Sequence, residues 1–269
     1  MESMLGKIKA EYALYPKEVL AEIGNNKKSL FIGIPKETDY QEKRISLTPN
    51  SVAALINYGF RITIEKDAGL NSNFCNEEYM QAGADIVFSK EDVFKADVII
   101  KSCPLNPADI SLMHNHQIVF SPILLPSQTK TMIKAMMEKR ITAIAFEYVK
   151  GDYNTYPFMR SMSEIAGNYA IAVAARYLSN EYGRGVLLGG IAGQPPSKVM
   201  IIGAGTVGEA AARAALALGA VVQIFDDNIY RLSRLQKDLG NKIYTSVIDP
   251  INLAKNISRA HVVIGALKP

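Results

Sequence analysis

Short apolar runs alternate with amphipathic stretches along most of this chain. The runs predict strands at residues 30–34, 60–65, 84–88, 97–101, 117–121, 141–146, 199–202 and 221–225. Between the runs, apolar residues recur at helical spacing, as they do over residues 128–139. Regular alternation of short strands and helices is typical of parallel sheets whose faces are covered by helices. The pattern therefore predicts an α/β protein.

Helix signals mark the first two parts of the chain. Residues 1–29 carry apolar positions at helical spacing and are expected to form an N-terminal helical arm, with a role in packing. A first domain is predicted over residues 30–158. Within it, Thr48 and Pro49 have the order of an N-cap followed by a proline at the first helical position, so they predict the start of a helix.

A second domain is predicted over residues 159–269. Near its start, Ser161 and Glu164 have the spacing of a capping box, which predicts the beginning of a long helix through Tyr177. This helix is rich in alanine and glycine, whose small side chains allow another backbone to approach closely.

A strand, a glycine turn, a helix and a second strand follow one another between Val199 and Asp226. The turn and the start of the helix read Gly203, Ala204, Gly205, Thr206, Val207, Gly208. The first glycine permits the tight turn, the second lets the backbone approach a pyrophosphate, and the third lets the helix pack closely on the sheet. Glycine turns also precede helices for packing reasons alone. Here the flanking elements match the dinucleotide-binding pattern on both sides, and the helix amides would face the phosphates.

Asp226 ends the second strand of this pattern. A carboxylate at that point accepts hydrogen bonds from the adenosine ribose hydroxyls and repels a 2′-phosphate. The sequence therefore predicts NAD as the cofactor rather than NADP.

Composition argues against several other classes of protein. The 269 residues carry a net charge of +4 with scattered basic residues, which gives no electrostatic footprint for nucleic acid. The two cysteines, Cys75 and Cys103, are too few for a disulfide framework and lack the spacing of a metal site, so no metal and a reducing compartment are expected. No apolar run is long enough to span a bilayer, and there is no signal-peptide core. We expect a cytoplasmic protein without membrane insertion.

Several specific motifs stand in one order along the chain. They are Gly33-Ile-Pro-Lys-Glu37 with Arg44 and Thr48-Pro49, Met162-Ser163-Glu164-Ile-Ala-Gly167, Arg184-Gly-Val-Leu-Leu-Gly-Gly190 and Ile202-Gly-Ala-Gly-Thr-Val-Gly208. In order and spacing they resemble the alanine dehydrogenase and transhydrogenase α-subunit family from Gly33 to Gly265. The resemblance implies two doubly wound, Rossmann-like domains, one for substrate and one for NAD, with the active site in the cleft between them.

The alanine dehydrogenases of that family use NAD to oxidise L-alanine, and the iminium product is hydrolysed to pyruvate and ammonia. The resemblance implies that Arg44 binds the substrate carboxylate, for which a guanidinium fork is suited. It also implies cofactor roles for Ser163, Asp226 and Arg231, in addition to the residues of the glycine turn. Ser163 has a second interpretation as a hydrogen-bonding residue at a helix start, and the two roles are compatible.

Two departures from the family pattern concern the substrate. In the region where alanine dehydrogenases carry a substrate-binding lysine this chain has Cys103, and where they carry a catalytic histidine it has the apolar segment 122–126. Lys101 lies two residues before Cys103 on the same strand face, so it is a candidate catalytic substitute; the alternative is that it pairs with a nearby carboxylate. His114 and His116 precede their strand and are expected to be surface loop residues, because ligands gather at the carboxyl ends of strands.

The last apolar run, 261–265, is about the fourth strand of a sheet that normally carries six, so the second domain is expected to be incomplete. The family's catalytic aspartate belongs beyond Pro269. An unpaired last strand favours self-association, and we expect a homo-oligomer. The main hypothesis is oxidative deamination of L-alanine, with an amino acid and a 2-oxo acid as small-molecule substrates. The alternatives are transhydrogenase-like hydride transfer between nicotinamide cofactors, which the missing lysine and histidine favour, and a non-catalytic NAD-binding module.

Overall fold

The structure is a computed structural model that describes residues 29–39, 42–152 and 155–267. The predicted helical arm lies outside the described residues except for Ser29. The chain divides into two compact units, Met1–Ala145 and Phe146–Pro269. The division therefore falls earlier in the chain than the predicted domain boundary.

The first unit is built on a six-stranded parallel sheet. Its strands are β1 (Phe31–Ile34), β2 (Arg61–Glu65), β3 (Asp85–Val87), β4 (Val98–Ile100), β5 (Ile118–Ser121) and β6 (Thr142–Ala145). They lie in the order β3-β2-β1-β4-β5-β6, and every neighbouring pair is parallel. This is the strand order of a doubly wound sheet, with its switch point between β1 and β4. The six predicted strands are confirmed, with slightly shorter bounds.

Short helices cover the sheet of the first unit. They are α1 (Pro49–Asn57), α2 (Asn76–Gln81), α3 (Lys90–Val93), α4 (Pro107–Leu112) and α5 (Lys130–Glu138), with 3-10 turns at Leu70–Ser72 and Leu125–Ser127. Thr48 caps α1 by accepting the backbone N–H of Ser51 at 3.3 Å, and Pro49 is the first helical residue, as predicted. The core consists of buried apolar side chains of the central strands and of the helices over them, among them Ile34, Ile62, Ile64, Phe94, Ile99 and Val119.

The second unit carries a four-stranded parallel sheet. Its elements are the 3-10 turn Phe146–Tyr148, α6 (Pro157–Leu178), β7 (Lys198–Ile202), α7 (Thr206–Ala217), β8 (Val221–Phe225), α8 (Ile229–Leu239), the 3-10 turn Gly240–Lys242, β9 (Ile243–Ser246), α9 (Pro250–Ile257) and β10 (Val262–Gly265). The strand order β10-β7-β8-β9 is that of the first four strands of a doubly wound sheet, with the switch point between β7 and β10. The predicted α/β fold with two doubly wound parallel sheets is confirmed.

Helix α6 begins earlier than predicted. Its first residue is Pro157, so Ser161 lies inside the helix, where its Oγ donates to the carbonyl oxygen of Pro157 at 3.1 Å. Glu164 accepts a hydrogen bond from Nε of Arg160 at 2.9 Å. The predicted capping box is wrong, because a proline at the first helical position already starts the helix. Neither α6 nor any other helix in the described part of the chain is long and apolar enough to cross a membrane.

Helix α6 packs closely on α7 through Gly167, which is buried. A Cβ atom at Gly167 would collide with the carbonyl oxygen of Val207 and would lie 2.7 Å from Cβ of Ala210. The two helix backbones are therefore in direct contact. The expectation that small residues of this helix admit a neighbouring backbone is confirmed.

We expect Gly167→Ala to lower the free energy of unfolding of the second unit by about 1–3 kcal/mol, because the added methyl group must force α7 away from α6. Alanine's higher helix propensity acts in the opposite direction by about 1 kcal/mol at most. Urea denaturation followed by circular dichroism measures the change. The control is Asn168→Ala at the next, exposed position, which should change stability by no more than about 0.5 kcal/mol. Equal midpoints for the two variants would contradict the close packing.

Candidate functional site

A glycine turn connects β7 to α7 at the switch point of the second sheet. Gly203 has a φ of +116°, which favours glycine, and a Cβ atom there would lie 2.5 Å from the carbonyl oxygen of Ala266. A Cβ atom at Gly205 would meet nothing within 4 Å, so the backbone there faces open space. A Cβ atom at Gly208 would collide with the carbonyl oxygen of Gly203, so the first turn of α7 lies tightly against the loop. The backbone conformation at Gly203 and the close packing at Gly208 agree with the predicted turn, and the approach of a pyrophosphate at Gly205 stays a prediction.

Asp226 follows β8 and is buried, with 3% of its surface exposed. Its Oδ2 atom accepts the backbone N–H of Ala204 at 2.6 Å, and Oδ1 accepts that of Asn228 at 2.7 Å. Nη1 of Arg231 lies 3.8 Å from Oδ2. Because a carboxylate offers about four lone-pair directions, the two amides leave acceptor capacity for hydroxyl groups. Asp226 is therefore fixed against the glycine turn and remains able to bind a diol.

A cavity of about 690 Å³ opens over this arrangement. It is lined by Gly203, Ala204, Gly205, Thr206, Asp226, Asn228, Tyr230, Arg231, Arg234, Ala266 and Leu267. The predicted cofactor residues of the turn line it, with the exception of Val207 and Gly208. Backbone amides and a carboxylate in one cavity can bind a phosphate and a sugar diol together.

Ser163 lies apart from the glycine turn. It lines a neighbouring cavity of about 820 Å³ between α6, α7 and α8, and the two cavities share Thr206 and Arg234. Ser163 is in the interior of α6, so its interpretation as a helix-start residue does not hold. Its predicted contact with the cofactor stays a prediction.

Sequence reasoning missed several residues that line the cavity at the turn. Asn228 is the N-cap of α8 and accepts the backbone N–H groups of Tyr230 and Arg231. An asparagine just before a helical pattern is a signal that could have identified this cap. Leu267 lies two residues beyond the carboxyl end of β10, where ligands of parallel sheets gather.

In the first unit, Lys101 lies in a buried ion cluster. Its side chain is 2% exposed, and Nζ lies 2.8 Å from Glu37 and 3.5 Å from Asp109, which also pairs with Lys90 at 2.6 Å. Burial by itself lowers the pKa of Lys101, but the charges of Glu37 and Asp109 outweigh it and raise the pKa, so the amine stays protonated. These contacts are those of the alternative interpretation, in which Lys101 pairs with nearby carboxylates.

Arg44 is held by the carboxylate of Glu42. Nε of Arg44 donates to Oε1 at 2.8 Å, and Nη2 lies 2.5 Å from Oε2. These hydrogen bonds lower the pKa of Glu42 to about 2. The arginine side chain is 55% exposed, whereas that of Glu42 is 9% exposed. The guanidinium fork therefore already binds a carboxylate, and it does so near the protein surface.

Comparison with known proteins assigns both units to the same protein family. The family model described as alanine dehydrogenase/PNT, N-terminal domain, matches residues 33–166, and the model of the C-terminal domain matches residues 170–268. The chain belongs to the alanine dehydrogenase/PNT family. The Rossmann-type fold of the second unit agrees with the use of NAD by the oxidoreductases of this family.

Relatives in the alanine dehydrogenase/PNT family are longer than this chain. The alanine dehydrogenase of Methanococcus maripaludis is 39% identical over 240 residues, which are 88% of this chain and 64% of that protein. The alanine dehydrogenase of Bacillus subtilis is 37% identical over 239 residues, or 88% and 63% of the two chains. Among solved structures, an L-alanine dehydrogenase matches with a TM-score of 0.80 at 36% identity, covering 87% of this chain and 65% of the other. A transhydrogenase from Sinorhizobium meliloti matches with a TM-score of 0.74 at 29% identity, covering 89% and 70%. The chain thus spans just under two thirds of the length of these alanine dehydrogenases.

The two regions that depart from the alanine dehydrogenase pattern carry groups unsuited to proton transfer. Cys103 is buried, and burial raises the pKa of its thiol, so it stays protonated and donates to Glu42 at 3.3 Å. In the second region, Leu124 adopts a left-handed backbone conformation with φ of 48° and is 42% exposed. His114 and His116 are exposed in the turn before β5, as predicted.

We expect Lys101→Met to lower the free energy of unfolding of the first unit by about 3–5 kcal/mol, because it leaves the buried carboxylate of Glu37 without its cation and leaves Asp109 paired with Lys90 alone. Chemical denaturation at neutral pH measures the loss. The control is Lys95→Met, which removes a lysine that is 72% exposed and paired with Asp92, and it should cost no more than about 1 kcal/mol. If Lys101→Met is as stable as this control, the buried ion cluster around Lys101 does not contribute measurably to the free energy of unfolding.

Gly205→Ala should leave stability unchanged to within about 0.5 kcal/mol, since the methyl group meets open space, yet weaken NAD binding by at least about tenfold. The reason is that the methyl group takes the space in which a pyrophosphate approaches the backbone. Calorimetric titration with NAD measures the affinity. Gly265→Ala, also facing open space but outside the cavity, is the matched control and should bind NAD normally. Undiminished affinity in Gly205→Ala would rule out phosphate binding at this turn.

Proposed function

We propose that the whole protein catalyses the NAD-dependent oxidative deamination of L-alanine to pyruvate and ammonia. The observation that carries the proposal is the open backbone at Gly205 beside the buried acceptor Asp226. It occurs in a chain whose two units match the two domains of the alanine dehydrogenase/PNT family in order. The relatives with the highest similarity reported above are alanine dehydrogenases.

The residues of the second unit fit a dinucleotide. Space over Gly205 admits a pyrophosphate, and the amides that begin α7 would stabilise its charge. Asp226 would accept hydrogen bonds from the adenosine ribose, and its charge disfavours a 2′-phosphate. Arg231, which lies 3.8 Å from Asp226, would balance that carboxylate when the ribose is bound. When bound, NAD supplies the hydride acceptor for oxidation of the substrate at Cα.

Arg44 would bind the carboxylate of the amino acid and of the 2-oxo acid product. Its fork holds the carboxylate of Glu42 through Nε and Nη2, so its geometry suits a carboxylate ligand. Glu42 must release or share the guanidinium when substrate binds. This exchange of one carboxylate for another keeps the charge of the arginine balanced in both states.

Hydride transfer between two nicotinamide cofactors is the second candidate function. It is favoured by the regions around Cys103 and Leu124, which lack the lysine and histidine of the alanine dehydrogenases. Lys101 supplies no ready substitute, because its amine is committed to Glu37 and Asp109. Such a reaction needs no pocket for an amino acid.

A cytoplasmic homo-oligomer completes the proposal. Both cysteines are free, which is typical of a reducing compartment. Strand β6 lies at the edge of the six-stranded sheet, and Ile144 on it is 42% exposed. An exposed edge strand favours pairing with another chain.

The deciding assay is NADH formation that depends on L-alanine, followed by absorbance. Arg44→Lys should raise KM for alanine by at least about tenfold, because a lysine cannot form the bidentate pair, while the Kd for NAD stays unchanged. Arg61→Lys, at a site where the arginine is 65% exposed and paired with Asp85, is the control and should behave as the unsubstituted protein.

Three other outcomes redirect the proposal. Reduction of thio-NAD by NADH without alanine would favour the second candidate function. Binding of NAD with neither reaction would identify a non-catalytic module. Alanine-dependent turnover that is insensitive to Arg44→Lys would keep the reaction and reject the substrate role of Arg44.

A further inference from the structure

An exposed aromatic ring borders the cavity at the glycine turn. Tyr230 lies in the first turn of α8 and is 84% exposed, and it lines the same cavity as Gly205 and Asp226. The flat faces of an aromatic ring are apolar, so an exposed ring offers a surface on which a planar group binds favourably. Neither the glycine motif nor the family resemblance assigns a role to Tyr230.

Hydrogen bonds fix the position of Tyr230 relative to Asp226. Oδ1 of Asp226 accepts the N–H of Asn228 at 2.7 Å, and Oδ1 of Asn228 accepts the N–H of Tyr230 at 3.0 Å. The backbone of Tyr230 is therefore connected to the carboxylate of Asp226 through one intervening residue, Asn228. The backbone of Tyr230 is held at a constant position beside the proposed ribose acceptor.

The other large side chains of this cavity differ from Tyr230 in their contacts. Arg231 lies 3.8 Å from Asp226, and Arg234 donates to Glu209 at 3.1 Å, so both guanidinium groups have carboxylate partners. Leu267 is apolar and 55% exposed. Tyr230 thus offers a flat apolar surface in a cavity whose two arginines are each paired with a carboxylate.

We propose that the ring of Tyr230 binds the adenine of the cofactor, a role that rests on the proposed binding of NAD. When Asp226 holds the ribose hydroxyls, the base is attached to the neighbouring carbon of the same sugar. A purine then needs a face to stack on, and stacking on an aromatic ring is favourable whatever hydrogen bonds the base edge makes. The hydroxyl group of Tyr230 takes no part in this contact.

The test compares ligands that contain adenine with one that does not. Tyr230→Ala should weaken NAD and ADP-ribose by at least about fivefold in calorimetric titrations, since loss of a stacking surface costs that much or more. Nicotinamide mononucleotide, which lacks adenine, should bind within about twofold of normal. Tyr230→Phe keeps the ring and should bind all three ligands normally. Tyr244→Ala is the matched control. Tyr244 lies on β9 of the four-stranded sheet, is 63% exposed and lies outside the cavity.

Fluorescence gives a second readout. The chain contains no tryptophan, so Tyr230→Trp introduces a single indole at the proposed contact. ADP-ribose should quench its emission, and nicotinamide mononucleotide should leave it unchanged.

The outcomes separate this inference from the function on which it rests. Normal ADP-ribose affinity in Tyr230→Ala, or equal losses for ADP-ribose and nicotinamide mononucleotide, would overturn the role of Tyr230 while NAD binding stands. Failure of the unsubstituted protein to bind NAD would overturn the cofactor site and this inference with it.

Discussion

The carboxylate of Asp226 connects the glycine turn of the candidate cofactor site to the start of α8. It is buried after β8, and it accepts one amide from the glycine turn at Ala204 and another from the start of α8 at Asn228. Hydrogen bonds to a charged acceptor are stronger than neutral ones, so these two bonds fix the turn and the helix start to each other. The positive φ of Gly203 and the open backbone at Gly205 are useful to a ligand only because the turn is held in this position. The same residue thus supports the fold of the site and offers it an acceptor.

The first unit uses a carboxylate in a comparable way at its own switch point. Glu37 follows β1, and it accepts the amides of Ser102 at 2.6 Å and Cys103 at 3.2 Å in the loop after β4. It also receives Nζ of Lys101 at 2.8 Å. In both sheets, then, a carboxylate that follows one strand accepts backbone N–H groups from the loop that follows the neighbouring strand, and so holds that loop in place. In the first unit the lysine inside the cluster leaves that carboxylate with less capacity for a ligand.

Much of the fold was predictable because it is recorded in local patterns. Apolar runs located the strands, and Thr48 with Pro49 located the start of α1. Likewise, the glycine motif and Asp226 could be identified because their residues are separated by a characteristic spacing along the chain. The start of α6 was mispredicted because Ser161 and Glu164 imitate a capping box inside a helix that Pro157 had already begun.

The surroundings of Lys101 and Asp226 were not predictable in the same way. The partner of Lys101 is Glu37, 64 residues earlier in the chain, and no periodic pattern relates the two positions. Likewise, the role of Tyr230 depends on which face of α8 borders the cavity, and this is set by the sheet order and by the cap at Asn228. Single-sequence reasoning finds residues with a chemical signature, but it does not find neighbours brought together by the tertiary fold.

The direct backbone contact between α6 and α7 at Gly167 restricts how the two helices can move. Two helices that touch backbone to backbone cannot slide past each other without opening a void or forcing atoms together. The carbonyl group against Gly167 belongs to Val207, in the first turn of α7, beside the amides that face the cavity. Helix α6 is 22 residues long, and its close contact with Val207 means that a tilt of α6 would also displace the first turn of α7 and the direction of its amides.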